Sequence, residues 1–281
     1  SQIAEDFNVT LRLVSWVVIA QGLTVSALMM PMGRLADIIG RKKVHLIGLV
    51  LFASGSAFTA IIPTESAVVF AVIIPGFGLL IMARILAAVG NSMAQSVGTA
   101  MVISVFPDRE RGKAIGSQTT AVAIGGASGP IVAGLMLQFL PWQAMFWVLT
   151  VPIVIAFIVG YFILDEKIVS QQRAGKRQSY DWLGAILSSL TIIVGVILIN
   201  NPFGVSIVHP LILGGGATTV ALLALFVWWE LRTKSPMLEL RMFKNLVFSM
   251  AVTTRLLGFL GTTTVRFLMP IYLISLRDIG E

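Results

Sequence analysis

Long apolar runs, broken by short knots of charge and by glycine and proline, set the rhythm of this chain. The runs predict membrane-spanning helices near residues 14–36, 44–62, 78–105, 114–138, 144–164, 182–200, 208–229 and 246–274, each reaching the ~18 weakly charged residues that a bilayer crossing needs. A span in hydrocarbon must satisfy its own backbone polar groups, and a helix does so within one segment. The predicted fold class is therefore all-α, a polytopic transmembrane helical bundle with about eight spans. The third run is ambiguous, because the uncharged stretch 67–83 and the stretch after Arg84 also divide into two helices. Two helices would move the basic loop Asp108 to Lys113 to the opposite side of the membrane from Arg41, Lys42 and Lys43. One span, preceded by a short outer segment broken at Pro75 to Gly78, keeps every basic loop on one side.

Composition agrees with a membrane class. The chain has 281 residues, 57% of them hydrophobic and 12% charged, with a mean hydropathy of +0.92; a soluble domain carries about 25% charged residues. The net charge of +7 raises nucleic acid as a partner. The bases nonetheless fall in clusters between apolar runs, at Arg34 and Arg41 to Lys43, at Arg109, Arg111 and Lys113, at Lys167, Arg173, Lys176 and Arg177, and at Arg232, Lys234, Arg241 and Lys244. That placement predicts cytoplasmic loops in a multi-pass protein of the plasma membrane, with the bilayer rather than nucleic acid as partner. Zero cysteines exclude disulfides and thiolate metal sites, and no metal or cofactor is expected. His45 and His209 are placed on opposite faces of the membrane, which argues against an embedded enzyme. The same topology puts residues 1–13 outside without a signal peptide, so the expectation is an internal fragment with one more span upstream.

The stretch "GRLADIIGRKK", Gly33 to Lys43, holds one acid and four bases between two spans. Its glycines suit a tight turn, and its bases suit an anionic leaflet. A membrane anchor needs only the bases. The spacing G-x-L-x-D-x-x-G-R-K resembles the loop signature of the major facilitator superfamily. "GGASGPIVAG", Gly125 to Gly134, resembles the fifth-helix signature of that family's drug:proton antiporters. Gly125, Gly129 and Ala133 form one small-residue row and Gly126, Pro130 and Gly134 another, two smooth grooves for neighbouring helices, with Pro130 bending the helix. "RILAAVGNSM" resembles the fourth-helix signature through Arg84 and Gly90, with Ala87 and Ala88 where the family has Gln and Gly. "FPDRERGKAIG" resembles the following loop through Arg111 and Gly112. "YDWLGAILSSL" and "FVWWELRTKSPMLELRMFKNLVFS" resemble the stretches around the two helices that the fourteen-span branch inserts between its halves.

What the resemblance implies is a major-facilitator-type bundle in which residues 1–164 form family helices two to six, 165–244 two intercalated helices with their loops, and 245–281 the first helix of the second half. It implies a secondary transporter that exchanges protons for small amphipathic or drug-like molecules by alternating access, with no bond made or broken. Gly33, Asp37, Gly40, Arg41 and Arg111 would form a conformational switch, with Arg111 as partner to Asp37. Arg84, expensive inside a span, would couple protons or substrate, the alternative being snorkelling to the outer interface. Gly125, Gly129, Pro130 and Gly134 would control leak through helix contact. Asn91 and Gln95, one turn apart, are candidates to line a cavity or to bond neighbouring helices. Arg255 and Arg266 fall within ~20° of each other around a helix, to receive anionic groups or to pair with absent carboxylates. No Asp or Glu falls deep within a span, so the proton-carrying acid is expected in helices outside this chain. A uniporter or symporter for a nutrient or organic anion, and a receptor or scaffold, are the rival functions.

Overall fold

A computed structural model describes residues 2–63, 67–69, 72–74, 76–169, 179–201, 204–206 and 208–277. The first of two compact units covers Ser1–Phe226 and the second Val227–Glu281. The chain order is α1 (Gln2–Asp6), α2 (Leu11–Ile39), α3 (Arg41–Ile61), β1 (Ala67–Val69), β2 (Val72–Ile74), α4 (Gly76–Val105), α5 (Arg111–Phe139), α6 (Trp142–Ile163), α7 (Glu166–Val169), α8 (Trp182–Asn200), α9 (Pro210–Arg232), a 3₁₀ turn (Leu240–Lys244) and α10 (Leu246–Arg277). Among the described residues, eight helices are long and apolar enough to cross a membrane. The third run is one helix, α4. The segment before it, to which the sequence assigned no regular structure, contains β1 and β2, which pair antiparallel with Val68 opposite Ile73. The β-branched residues of that stretch favour extended backbone over helix.

Local chemistry sets several ends. Thr10 caps α2 by accepting from the Leu13 N–H, and Asp181 caps α8 by accepting from the Gly184 N–H at 2.9 Å. Gly40 alone links α2 to α3, at φ 117°, a conformation open essentially only to glycine. At the other end of α3 the bundle holds an aromatic and aliphatic cluster of Val17, Ile62, Leu79, Leu80, Ala83 and Trp142. The Trp142 indole N–H donates to Asp6 at 2.7 Å, which docks α1 there. Ala36, Val44, Met93, Val97, Met101 and Val169 form a second cluster at the Gly40 end.

Helices α3 and α4 approach closest. A Cβ on Gly48 would lie 2.7 Å from the Gly90 carbonyl oxygen, and one on Gly55 would lie 2.4 Å from the Ala87 nitrogen. Lipid offers no hydrophobic drive for helices to associate, so small residues that let backbones touch supply the packing instead. By contrast, Ala114 is the buried residue of α5.

In the second unit Glu230 is buried. Its two carboxylate oxygens accept from the Met237 N–H at 3.2 Å and the Leu238 N–H at 3.3 Å, fixing the turn after α9. The basic residues Arg173, Lys176 and Arg177 and the Arg266 side chain lie outside the described residues.

Candidate functional site

The hairpin of α2 and α3 positions the loop signature. Asp37, one turn before Gly40, pairs with Arg41, one residue after it: Arg41 Nη2 and Nε donate to the same carboxylate oxygen at 3.1 and 3.3 Å. Arg41 Nη1 also reaches the Ala100 carbonyl of α4 at 3.5 Å. The expected pairing of Asp37 with Arg111 is not the one present. Arg111 pairs with Asp108, three residues away, and donates to the carbonyls of Ile103 and Phe106 at 3.2 and 3.3 Å. The physical reason is local: α4 ends at Val105 and α5 starts at Arg111, so the guanidinium folds back onto carbonyls at and just past the C-terminal end of α4, where helical donors run out.

Gly33 faces α4, where a Cβ would make ordinary contact with Ser96 at 3.8 Å. Lys42 carries a role the sequence did not reveal. Its ammonium donates to the carbonyls of Tyr161 and Leu164 at 2.9 and 2.5 Å and lies 5.6 Å from the Tyr161 ring centroid. A cation on the last carbonyls of α6 meets both their unfilled acceptors and the negative end of the helix dipole. Four residues of one loop, Asp37, Gly40, Arg41 and Lys42, thus tie the ends of α2, α3, α4 and α6 together.

Arg84 lies eight residues into α4 from Gly76, about 12 Å along the helix at 1.5 Å per residue. Its Nη2 donates to the Gln21 side-chain oxygen of α2, and its guanidinium carbon stands 4.9 Å from the Phe146 ring centroid of α6. Nε and Nη1 are buried with no hydrogen-bond partner. Three helices therefore hold one cation and leave two of its donors open. Gln21 is a partner that sequence reasoning missed, because it stands 63 positions from Arg84 and bears no motif. The fourth-helix signature gains a geometric explanation here. Ala87 and Ala88 are fully buried, Ala87 lies so close to Gly55 that a Cβ on the glycine would overlap its backbone, and the carboxamide that meets Arg84 comes from Gln21 of α2.

The remaining candidates are not brought to this site. Gln95 donates to Asn91 at 2.9 Å along α4. Among the described residues a methyl group added at Gly125, Gly129 or Gly134 would meet nothing within 4 Å, and Pro130 is exposed. Arg255 is exposed on α10 in the second unit. Among the described residues no group of histidines and carboxylates is disposed to hold a metal.

The Major Facilitator Superfamily model matches residues 1–280. The riboflavin transporter RibZ of Clostridioides difficile is 29% identical over 280 residues, 99% of this chain and 56% of the relative. The lincomycin resistance protein LmrB of Listeria monocytogenes is 26% identical over 280 residues, 97% of this chain and 54% of the relative. The multidrug efflux pump LfrA of Mycolicibacterium smegmatis is 30% identical over 262 residues, 92% of this chain and 48% of the relative. The chain spans about half the length of these curated relatives.

Proposed function

The chain belongs to the Major Facilitator Superfamily, and on that premise we propose that it works within a proton-coupled antiporter of the plasma membrane, exporting small amphipathic or drug-like molecules by alternating access. The observation that carries this reading is Arg84. A permanently charged guanidinium inside a span is costly and is kept where it meets a cavity or a partner. Its Nε and Nη1 are buried and unpartnered, which leaves them to a carboxylate or an anionic group supplied by substrate or by another helix. The relatives LmrB and LfrA, a lincomycin resistance protein and a multidrug efflux pump by name, support export of drug-like molecules.

In this scheme the basic loops face the cytoplasm, the Asp37–Arg41 pair holds the hairpin in one of two arrangements, and transport shifts the balance between them. The open small-residue rows around Gly129 and Pro130 would meet a neighbouring helix that closes one side of the cavity. RibZ, a riboflavin transporter by name, favours a second reading in which the cargo is a nutrient carried by the same framework.

Two variants test the scheme in the complete protein at matched membrane levels. Arg84→Ala should abolish coupling, while Arg84→Lys, which keeps the charge and loses the planar fork, should retain part of it. Unchanged transport with an unchanged pH profile in Arg84→Ala would make the residue an interfacial anchor. Asp37→Asn should impair transport with little loss of stability, because the pair is 44% exposed at Asp37 and such pairs contribute about 1 kcal/mol or less. Normal transport by Asp37→Asn removes the switch.

A further inference from the structure

Pro31 lies inside α2. Proline has no amide N–H, so the carbonyl four residues earlier, that of Ala27, loses its helical donor. Ala27 is 2% exposed, and neither buried protein nor hydrocarbon offers it water; an unpaired carbonyl there is strongly unfavourable. The Ser189 hydroxyl of α8 fills the gap, donating to the Ala27 oxygen at 2.9 Å. Just over one turn beyond that carbonyl, the Tyr180 hydroxyl donates to the Pro31 carbonyl at 3.4 Å. Burial and the neighbouring Asp181 carboxylate raise the Tyr180 hydroxyl above the ordinary tyrosine range, which keeps it a neutral donor. Gly184, Ala185, Leu187 and Ser188 of α8 are buried, so a face of small and apolar residues accompanies the two hydroxyls. Pro130 and Pro152 release the carbonyls of Gly126 and Val148 in the same way, and among the described hydrogen bonds no other helix supplies those two with a side-chain donor.

We infer that α8 is clasped to α2 through the proline break, with Ser189 replacing the missing backbone donor, and that this clasp fixes the segment of α2 that carries Gly33 and Asp37. The helix that follows the fifth span is then not a passive connector. It moves with the first five spans and stiffens the arm of the loop hairpin, so the position of α8 biases the arrangement of the Asp37–Arg41 pair. The clasp stands on geometry alone; its effect on transport rests on the switch proposed above.

A double-mutant cycle in the complete protein separates the two. Ser189→Ala should speed amide exchange around Ala27 to Leu35 by roughly two- to tenfold, the range of one net hydrogen bond, and Ser189→Thr, which keeps a hydroxyl, should restore protection. Pro31→Ala gives Ala27 a backbone donor again, so adding Ser189→Ala to it should change exchange by less than about twofold. Equal acceleration with and without Pro31, or none in either background, overturns the clasp. For the effect on the switch, Ser189→Ala should also lower the export rate at least about twofold, and an unaltered rate alongside a positive cycle overturns that coupling while leaving the clasp in place. A wild-type protein that exports nothing strikes the transport reading instead and leaves the exchange cycle readable.

Discussion

Gly90→Ala is the smallest change that interrogates how this bundle is held together. The added methyl carbon would stand 2.3 Å from the Phe52 nitrogen, 2.4 Å from the Gly48 oxygen and 2.8 Å from the Leu51 carbonyl carbon. All three are backbone atoms of α3, so no side-chain rotation relieves the overlap. Comfortable carbon contacts lie near 3.5–4.0 Å, and α3 and α4 must part by about 1 Å. A gap of that size forfeits roughly a quarter to a half of each van der Waals contact along the seam, including those of the fully buried Ala87 and Ala88. Overpacking of a tight core costs about 1–3 kcal/mol, and an obstruction made of backbone places this case at the upper end, about 3 kcal/mol. At 2–4 °C per kcal/mol the thermal midpoint of the purified protein in detergent should fall by roughly 6–12 °C. Gly33→Ala is the matched control, since its methyl would meet Ser96 at an ordinary 3.8 Å and alanine is the better helix former. A Gly90→Ala protein that melts with wild type refutes the close α3–α4 seam, and a Gly33→Ala protein that melts as low as Gly90→Ala shows that backbone overlap is not what sets the cost.

Other consequences are equally direct. Gly40→Ala forces a side chain onto φ 117°, a strain of about 1–3 kcal/mol, and should lower the thermal midpoint and loosen the hairpin to proteolysis; wild-type behaviour would mean the link adopts another conformation. Lys42→Met keeps the apolar stem and strips the cation from the carbonyls of Tyr161 and Leu164, so exchange protection should fall in the last turn of α6 by about fivefold, the equivalent of ~1 kcal/mol. Protection unchanged there would show that water serves those carbonyls as well. Glu230→Ala orphans the Met237 and Leu238 amides at about 1–3 kcal/mol each, and those two amides should exchange faster than in Glu230→Gln, which keeps one acceptor oxygen; equal rates in the two variants would assign the turn to other contacts.

The spans were legible in the sequence because the bilayer imposes length and apolarity on every one of them. The single-helix form of α4 followed from keeping Arg41 and Arg111 on one side of the membrane, a constraint that operates across loops. Pairings over distance were not legible. The Gln21 contact with Arg84 joins two helices through side chains that carry no spacing signal, and Ser189 gains its meaning only when Pro31 is known to lie beside it. The glycine rows of α5 announced close packing. The glycines that deliver it within the first unit are Gly48, Gly55 and Gly90, because composition marks a smooth helix face without saying which neighbour meets it. Asp37 found Arg41 in place of Arg111 since a partner one turn away costs less ordering than one on another loop. The pairing of Ala67–Val69 with Val72–Ile74 was hidden by its apolarity, which a strand and a helix share over so short a run.

Coupled export is tested most directly by reconstituting the complete protein in liposomes and imposing a pH gradient, with the transport of an amphipathic fluorescent cation such as ethidium followed over time. Proton antiport moves the dye against its own gradient while the pH difference lasts, stops on adding a protonophore, and is lost in Arg84→Ala at equal protein content. Dye that merely equilibrates, at a rate indifferent to the pH gradient and to the protonophore, contradicts proton-coupled export and leaves a facilitator built on the same fold.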